Sequence, residues 1–216
     1  MIRRHDMIFV RRSSWQAVLA AEPGLRGDRL VAFWADRGWP LVARRGDPHS
    51  RSGVALGLPL PPSQGKHRHS FVVPPGDIAG GMPPPSLSYV CRAAPLAWWP
   101  TLLRLDAFMQ RHALDMRIFG SLAWSAVTGL DYLSAQSDLD VLVYIRRTTD
   151  LDCLADGLSA IEATAPMRID GEFVRDDGTA VNWREFRSGA PDLLAKSMSG
   201  VCLVPRGQFV GGRVVS

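Results

Sequence analysis

Two aspartates separated by one residue begin an apolar segment in the second half of the chain. Asp138 and Asp140 flank Leu139, and residues 141–145 read Val-Leu-Val-Tyr-Ile. Side chains two residues apart in a β-strand point to the same face, so both carboxylates project together. Such a pair is costly in a partly buried strand unless a cation compensates its charge, and Mg²⁺ prefers carboxylate oxygens. The pattern indicates a divalent metal site; the alternative is a pair of solvated aspartates that end the preceding turn.

A glycine and a serine upstream could bind phosphate beside these acids. Gly120 and Ser121 follow a short apolar strand and open a segment with a helical pattern. Glycine lets the backbone approach a ligand closely, and the free N–H groups at a helix start favour phosphate oxygens. Taken alone, the pair is equally well a plain strand–helix turn. With Asp138 and Asp140 on the next strand, it predicts a phosphate-binding turn that faces a metal site.

A third acid is expected on a neighbouring strand. Residues 167–172 read Met-Arg-Ile-Asp-Gly-Glu, and Asp170 and Glu172 share a face if this strand is regular. Asp170 is the preferred third ligand because the residues beside it can pack, and Glu172 stays an alternative. Asp170 could also be a turn residue before Gly171.

The elements that must position these residues alternate in type. Apolar periodicity predicts a helix, strand, helix, strand, helix and strand over residues 98–114, 116–119, 122–127, 138–145, 151–164 and 167–174. The strand over 138–145 is almost wholly apolar apart from its aspartates, which is typical of a strand covered on both faces.

The first half of the chain has a separate pattern. Two helices, the first ending at Pro23-Gly24, and three short strands are predicted over residues 13–22, 28–37, 41–44, 53–58 and 70–73. Glycine and proline then dominate residues 74–85, which are hard to place inside a regular element and indicate a boundary between two domains. The sequence therefore predicts an α+β protein with a smaller N-terminal domain over 1–80 and a second domain over 86–216.

The overall composition limits the classes of partner. The net charge of +4 suits an anionic ligand, but arginine-rich patches with interleaved aromatic residues are not evident, so no nucleic-acid partner is expected. No stretch approaches the roughly 18 apolar residues that span a bilayer, so no membrane association is expected. Cys91, Cys153 and Cys202 lie far apart, and we expect buried, reduced thiols in a cytoplasmic protein.

Several motifs together resemble a known family. Gly120-Ser121, the Asp138–Asp140 strand and a later strand acid are similar to the nucleotidyltransferase superfamily, whose catalytic domain is a DNA polymerase β-like palm. A more specific resemblance, to the malonate decarboxylase holo-acyl-carrier-protein synthases or phosphoribosyl-dephospho-CoA transferases, covers most of the chain. It is carried by the segments Arg4-His5-Asp6, 119–124, 128–130, 137–140, 170–172 and 180–185.

The resemblance implies an activity and a cofactor. The family would transfer the phosphoribosyl-dephospho-CoA group from its triphosphoribosyl precursor to a serine of the malonate decarboxylase acyl-carrier subunit, and pyrophosphate would leave. Two Mg²⁺ or Mn²⁺ ions would serve this reaction. Asp138, Asp140 and Asp170 would be the metal-binding and catalytic acids, whereas Gly120 and Ser121 would bind the triphosphate.

Other residues and other functions stay open. Lys196 could pair with the triphosphate, although a solvated lysine on a helix is the plainer reading. The N-terminal domain could form the pocket for the CoA moiety or dock the carrier protein. A different nucleotidyltransferase, acting on a small molecule, protein or RNA, is the first alternative function. A non-catalytic module that binds a nucleotide or a carrier protein is the second.

Overall fold

The chain divides after Pro84 into two units, residues 1–84 and 85–216. A computed structural model describes residues 2–21, 25, 28–46, 53–64 and 68–211. Each unit contains one β-sheet and several helices, so the predicted α+β class is confirmed.

The first unit has a five-stranded sheet in the order β4-β3-β2-β1-β5, in which neighbouring strands are antiparallel. Its elements are β1 Met7–Val10, α1 Arg12–Ala21, α2 Arg29–Arg37, β2 Leu41–Ala43, β3 Val54–Pro59, β4 Arg68–Val73 and β5 Ile78–Met82. Asp28 caps α2 by accepting hydrogen bonds from the N–H groups of Leu30 and Val31, and Gly38 ends the helix at φ 62°. The predicted second helix is therefore confirmed.

Two strands of the first unit were not predicted. β1 is the apolar run that begins at Met7, and β5 contains Gly80 and Gly81 within the segment expected to be irregular. β5 is an edge strand, and its backbone pairs with β1, Ile8 opposite Gly81. A Cβ atom at Gly81 would lie 3.0 Å from Ile8 Cδ1, so the small residue suits this close pairing. The first helix ends at Ala21, and its predicted stop at Pro23-Gly24 lies outside the described residues.

The second unit has a six-stranded sheet in the order β11-β10-β9-β8-β7-β6. Its elements are α3 Leu87–Val90, α4 Trp99–Arg111, β6 Asp115–Phe119, α5 Gly120–Thr128, β7 Leu139–Tyr144, α6 Leu151–Glu162, β8 Ile169–Val174, β9 Ala180–Asn182, α7 Trp183–Arg187, β10 Asp192–Lys196, β11 Val201–Pro205 and α8 Arg206–Gly211. The six elements from α4 to β8 confirm the predicted order. β7 and β8 are parallel, and α6 supplies the long crossover that parallel neighbours require.

The two faces of this sheet differ in chemistry. Val141, Ile169, Phe173, Val181 and Leu193 alternate onto one face and are all fully buried, which makes this face the apolar core of the unit. The opposite face holds a small apolar cluster together with polar residues. Its cluster consists of Leu142, Val174 and Ala180, with Phe119 and Tyr144 packed beside them.

The cysteines differ from the prediction. Cys153 and Cys202 are exposed and Cys91 is half-buried, and all three are free thiols. Cys153 follows the start of α6, and Cys202 lies in β11 at the edge of the second sheet. Among the helices that the structure describes, none is long and apolar enough to cross a membrane.

Candidate active site

The polar face of the second sheet brings together two of the predicted acids. Asp140 in β7 and Asp170 in β8 are register partners in the parallel pair, so their side chains leave adjacent strands on the same face. In the next pair of strands, Glu172 lies opposite Asn182. Lys196 lies opposite Ala180, which shares a face with Asn182 because the two are two residues apart in β9. We call this set of five residues, Asp140, Asp170, Glu172, Asn182 and Lys196, the acidic face.

Gly120 makes room for the carboxylate of Asp140. β6 pairs with β7 so that Phe119 lies opposite Asp140, and Gly120 follows with φ 66°. A Cβ atom at Gly120 would lie 2.7 Å from Asp140 Cγ and closer still to Oδ2. The space that the glycine leaves is thus filled by a predicted metal ligand, and the turn and the acid form one structural unit.

Ser121 lies at the start of α5, where the chain leaves β6. The residue before the helix is Phe119, whose side chain makes no capping hydrogen bond. The first N–H groups of a helix lack partners inside it and favour anions. Gly120 and Ser121 therefore lie beside Asp140, and their role in binding phosphate stays a prediction.

One oxygen of Asp170 is already engaged by the protein. Asn182 Nδ2 donates a hydrogen bond to Asp170 Oδ1 at 3.0 Å, and Arg168 Nη2 lies 3.8 Å from the same oxygen. The Asp170 side chain is 35% exposed, which leaves it accessible to a ligand. Both contacts offset part of the repulsion between Asp170 and the neighbouring carboxylate of Asp140.

Glu172 differs from Asp170 in its surroundings. It is buried, with 6% of the residue exposed, and accepts a hydrogen bond from Lys196 Nζ at 3.0 Å. This ion pair compensates the buried charge and favours Asp170 over Glu172 as the acid available to a cation. Lys196 lies at the end of strand β10, so the reading of a solvated lysine on a helix is wrong.

Asp138 lies one residue before β7 and is half-buried. Because it precedes the strand, the alternation of β7 does not by itself fix the direction of its side chain. Within the described residues, no group of three His, Cys, Asp or Glu side chains is arranged to hold a metal ion. The structure thus pairs Asp140 with Asp170, and Asp138 as a further ligand stays a prediction.

A half-buried ion pair fixes the start of β8. Arg184 Nη2 contacts Glu162 Oε1 and also donates to the Ile169 carbonyl, while the Ile169 N–H donates to Glu162 Oε1 at 2.7 Å. Burial favours a raised pKa for Glu162, but the hydrogen bonds from Arg184 and Ile169 outweigh it and hold the pKa below its usual value. Arg184 thus holds the residue that precedes Asp170 in β8.

The donor set fits a divalent cation of the magnesium type. Asp140 and Asp170 supply carboxylate oxygens from adjacent strands, and Mg²⁺ is commonly bound by one or two carboxylates, with the remaining positions taken by water and substrate phosphates. The first N–H groups of a helix favour phosphate oxygens, and α5 starts beside Asp140. The arrangement is therefore compatible with a cation and a polyphosphate bound next to each other.

Sequence reasoning missed Asn182 as a site residue. A signal was present, because Asn182 followed three residues later by Glu185 is a helix-start pattern, and Asn182 does cap α7. Its contact with Asp170 depends on the pairing of β8 with β9, which the local sequence does not contain.

Both units of the chain match models of one protein family. Residues 3–84 match the family model described as "Phosphoribosyl-dephospho-CoA transferase MdcG N-terminal domain", and residues 86–207 match the corresponding C-terminal domain. Both units thus correspond to parts of one transferase, and the chain is an enzyme of that class. It belongs to the phosphoribosyl-dephospho-CoA transferase family, which confirms the resemblance seen in the sequence.

Curated relatives agree with this assignment. A phosphoribosyl-dephospho-CoA transferase of Bradyrhizobium diazoefficiens is 50% identical over 209 residues, which is 97% of this chain and 92% of the relative. A protein of the same name from Xanthomonas euvesicatoria is 41% identical over 95% of both chains. Another, from Xanthomonas axonopodis, is 38% identical over 99% of both chains. No solved structure matches the chain.

Proposed function

We propose that this protein transfers the phosphoribosyl-dephospho-CoA group from 2′-(5″-triphosphoribosyl)-3′-dephospho-CoA to a serine of the malonate decarboxylase acyl-carrier subunit. Pyrophosphate is the second product. The observation that carries the proposal is the pairing of Asp140 with Asp170 beside the start of α5. Membership of the transferase family supports the same donor.

The reaction is a substitution at phosphorus. The serine Oγ forms a bond to the α-phosphorus of the triphosphate, the bond from that phosphorus to the bridging oxygen breaks, and pyrophosphate takes the bonding electrons. The serine hydroxyl proton must leave as the new bond forms. Asp170 is our candidate to accept it, because its carboxylate is partly exposed on the acidic face.

Asp140 and Asp170 would hold the divalent metal, with Asp138 as the further predicted ligand. When two Mg²⁺ or Mn²⁺ ions are bound, they supply charge stabilisation for the attacking and leaving oxygens. The carboxylates also need such cations, since two adjacent negative charges on one sheet face otherwise repel each other.

Gly120, Ser121 and Lys196 are the proposed groups for the triphosphate. The backbone N–H groups at the start of α5 and the Ser121 hydroxyl donate to phosphate oxygens. Lys196 gives one hydrogen bond to Glu172, and an ammonium group has three donors, so it can also donate to a phosphate. The Glu172 carboxylate then serves to hold Lys196 on the acidic face.

Mass spectrometry of the carrier subunit tests the proposal. The protein is incubated with the apo carrier, Mg²⁺ and triphosphoribosyl-dephospho-CoA, and a carrier whose acceptor serine is replaced by alanine is the matched control. We expect the wild-type carrier to gain the mass of one phosphoribosyl-dephospho-CoA group on that serine, and the control to gain none.

The same assay separates the alternative functions. Pyrophosphate release from ATP or another nucleotide without any carrier, together with an unmodified carrier, would favour a different nucleotidyltransferase. Binding of the precursor without turnover under any metal condition would favour a non-catalytic module. Either result would overturn the proposed transfer.

A further inference from the structure

The side-chain amide of Asn182 contacts the start of a helix with its oxygen and the acidic face with its nitrogen. It is the last residue of β9 and the N-cap of α7. Its Oδ1 accepts hydrogen bonds from the N–H groups of Arg184 at 2.9 Å and Glu185 at 3.4 Å. Its Nδ2 donates to Asp170 Oδ1 at 3.0 Å.

The two hydrogen bonds to Oδ1 fix the direction of Nδ2. A carboxamide is planar, with the acceptor and the donor on opposite sides of its carbon, so holding the oxygen on the helix start aims the nitrogen at Asp170. Arg168 approaches the same oxygen of Asp170. Within the described part of the chain, both polar contacts of Asp170 thus fall on Oδ1, and Oδ2 is the oxygen left for a ligand.

We propose that Asn182 is a positioning residue that orients the Asp170 carboxylate so that it can bind the divalent cation of the proposed function. This inference rests on that function. Without the amide, the carboxylate is free to rotate towards Arg168, whose side chain is 57% exposed and whose guanidinium competes with a cation for the same oxygens. A neighbour that holds a ligand in place contributes to metal affinity without touching the metal.

Asn182→Ser tests this role. Serine caps helices about as well as asparagine, but its hydroxyl has no amide nitrogen to donate to Asp170, so the substitution keeps the cap and removes the contact. Mn²⁺ alone is the probe, and free Mn²⁺ is measured by electron paramagnetic resonance during a titration of the full-length protein. We expect Mn²⁺ affinity to fall about 10–100-fold, as for the loss of other groups that orient metal ligands.

Asp150→Ala is the matched control. Asp150 caps α6 by accepting the Cys153 N–H, and it lies outside the acidic face. Its loss removes a helix cap and should leave Mn²⁺ affinity unchanged. A further control is Asp170→Asn. Adding Asn182→Ser to this variant should cause no additional loss of Mn²⁺ affinity, because Asn182 acts through Asp170.

Each outcome is decisive. Asn182→Ser with wild-type Mn²⁺ affinity would overturn the role of Asn182 and leave the proposed function standing. A variant that fails to fold, while Asp150→Ala folds, would assign Asn182 to the fold and also overturn the role. Wild-type protein that binds Mn²⁺ but modifies no carrier would reject the proposed function. In that case the Mn²⁺ affinity of Asn182→Ser would still decide whether Asn182 orients Asp170 at the metal site. Absence of Mn²⁺ binding by the wild type would reject both.

Discussion

Replacement of Asp140 by asparagine is expected to remove nearly all transfer to the carrier and to leave the protein folded. Asparagine has the shape of aspartate, so the fit against Gly120 persists, while the charge that attracts a cation is lost. Metal stabilisation of a transition state amounts to several kcal/mol, and each 1.36 kcal/mol is a tenfold change in rate, so the rate should fall by about 10³-fold or more. Single-turnover mass spectrometry of the carrier measures this loss.

Asp156→Asn is the matched control for this variant. Asp156 lies on α6, is largely exposed and pairs with Arg187. Its replacement by asparagine makes the same chemical change at a position outside the acidic face. Its transfer rate and melting temperature should stay near those of the wild type, because exposed ion pairs contribute little. Wild-type turnover by Asp140→Asn would reject Asp140 as a metal-binding residue.

Gly120→Ala is expected to have the second largest effect. The new Cβ would overlap the Asp140 carboxylate, and φ 66° adds a backbone cost of about 1–2 kcal/mol for an alanine. Asp140 must then move away from its position beside Asp170. Because a misplacement of about 1 Å can cost about 10²-fold in rate, transfer should fall by at least that factor.

Gly129→Ala separates the overlap from the backbone strain. Gly129 ends α5 with φ 72°, and nothing lies within 4 Å of the position of its Cβ. The backbone strain should lower the free energy of unfolding of this variant about as much as in Gly120→Ala, which urea denaturation measures. Its transfer rate should stay that of the wild type. Equal transfer rates for the two variants would show that the contact between residue 120 and Asp140 has no part in catalysis.

The order of the elements that carry the site could be predicted because each has its own hydrophobic period. The strands around Ile118, Val141 and Ile169 and the helices between them all occur where the sequence places them. The site residues Asp140 and Asp170 could be proposed because a charged residue in such an apolar strand costs free energy unless another charge or a bound cation compensates it.

Pairing between distant strands could not be predicted in the same way. β5 is held to β1 by its backbone, and Gly80 and Gly81 carry no side-chain pattern that marks a strand. The contact of Asn182 with Asp170 joins the neighbouring strands β9 and β8, and the ion pair of Lys196 with Glu172 joins β10 and β8, which lie on either side of β9. These contacts depend on register, which local periodicity does not contain.

The most direct test of the metal-binding acidic face is anomalous X-ray scattering from crystals of the wild-type protein that contain Mn²⁺ and the triphosphoribosyl precursor. We predict an anomalous peak that contacts carboxylate oxygens of both Asp140 and Asp170, at the distance of about 2 Å that small divalent cations adopt with oxygen ligands. Absence of a peak between these two residues, with the precursor bound and its triphosphate held elsewhere, would contradict the central claim.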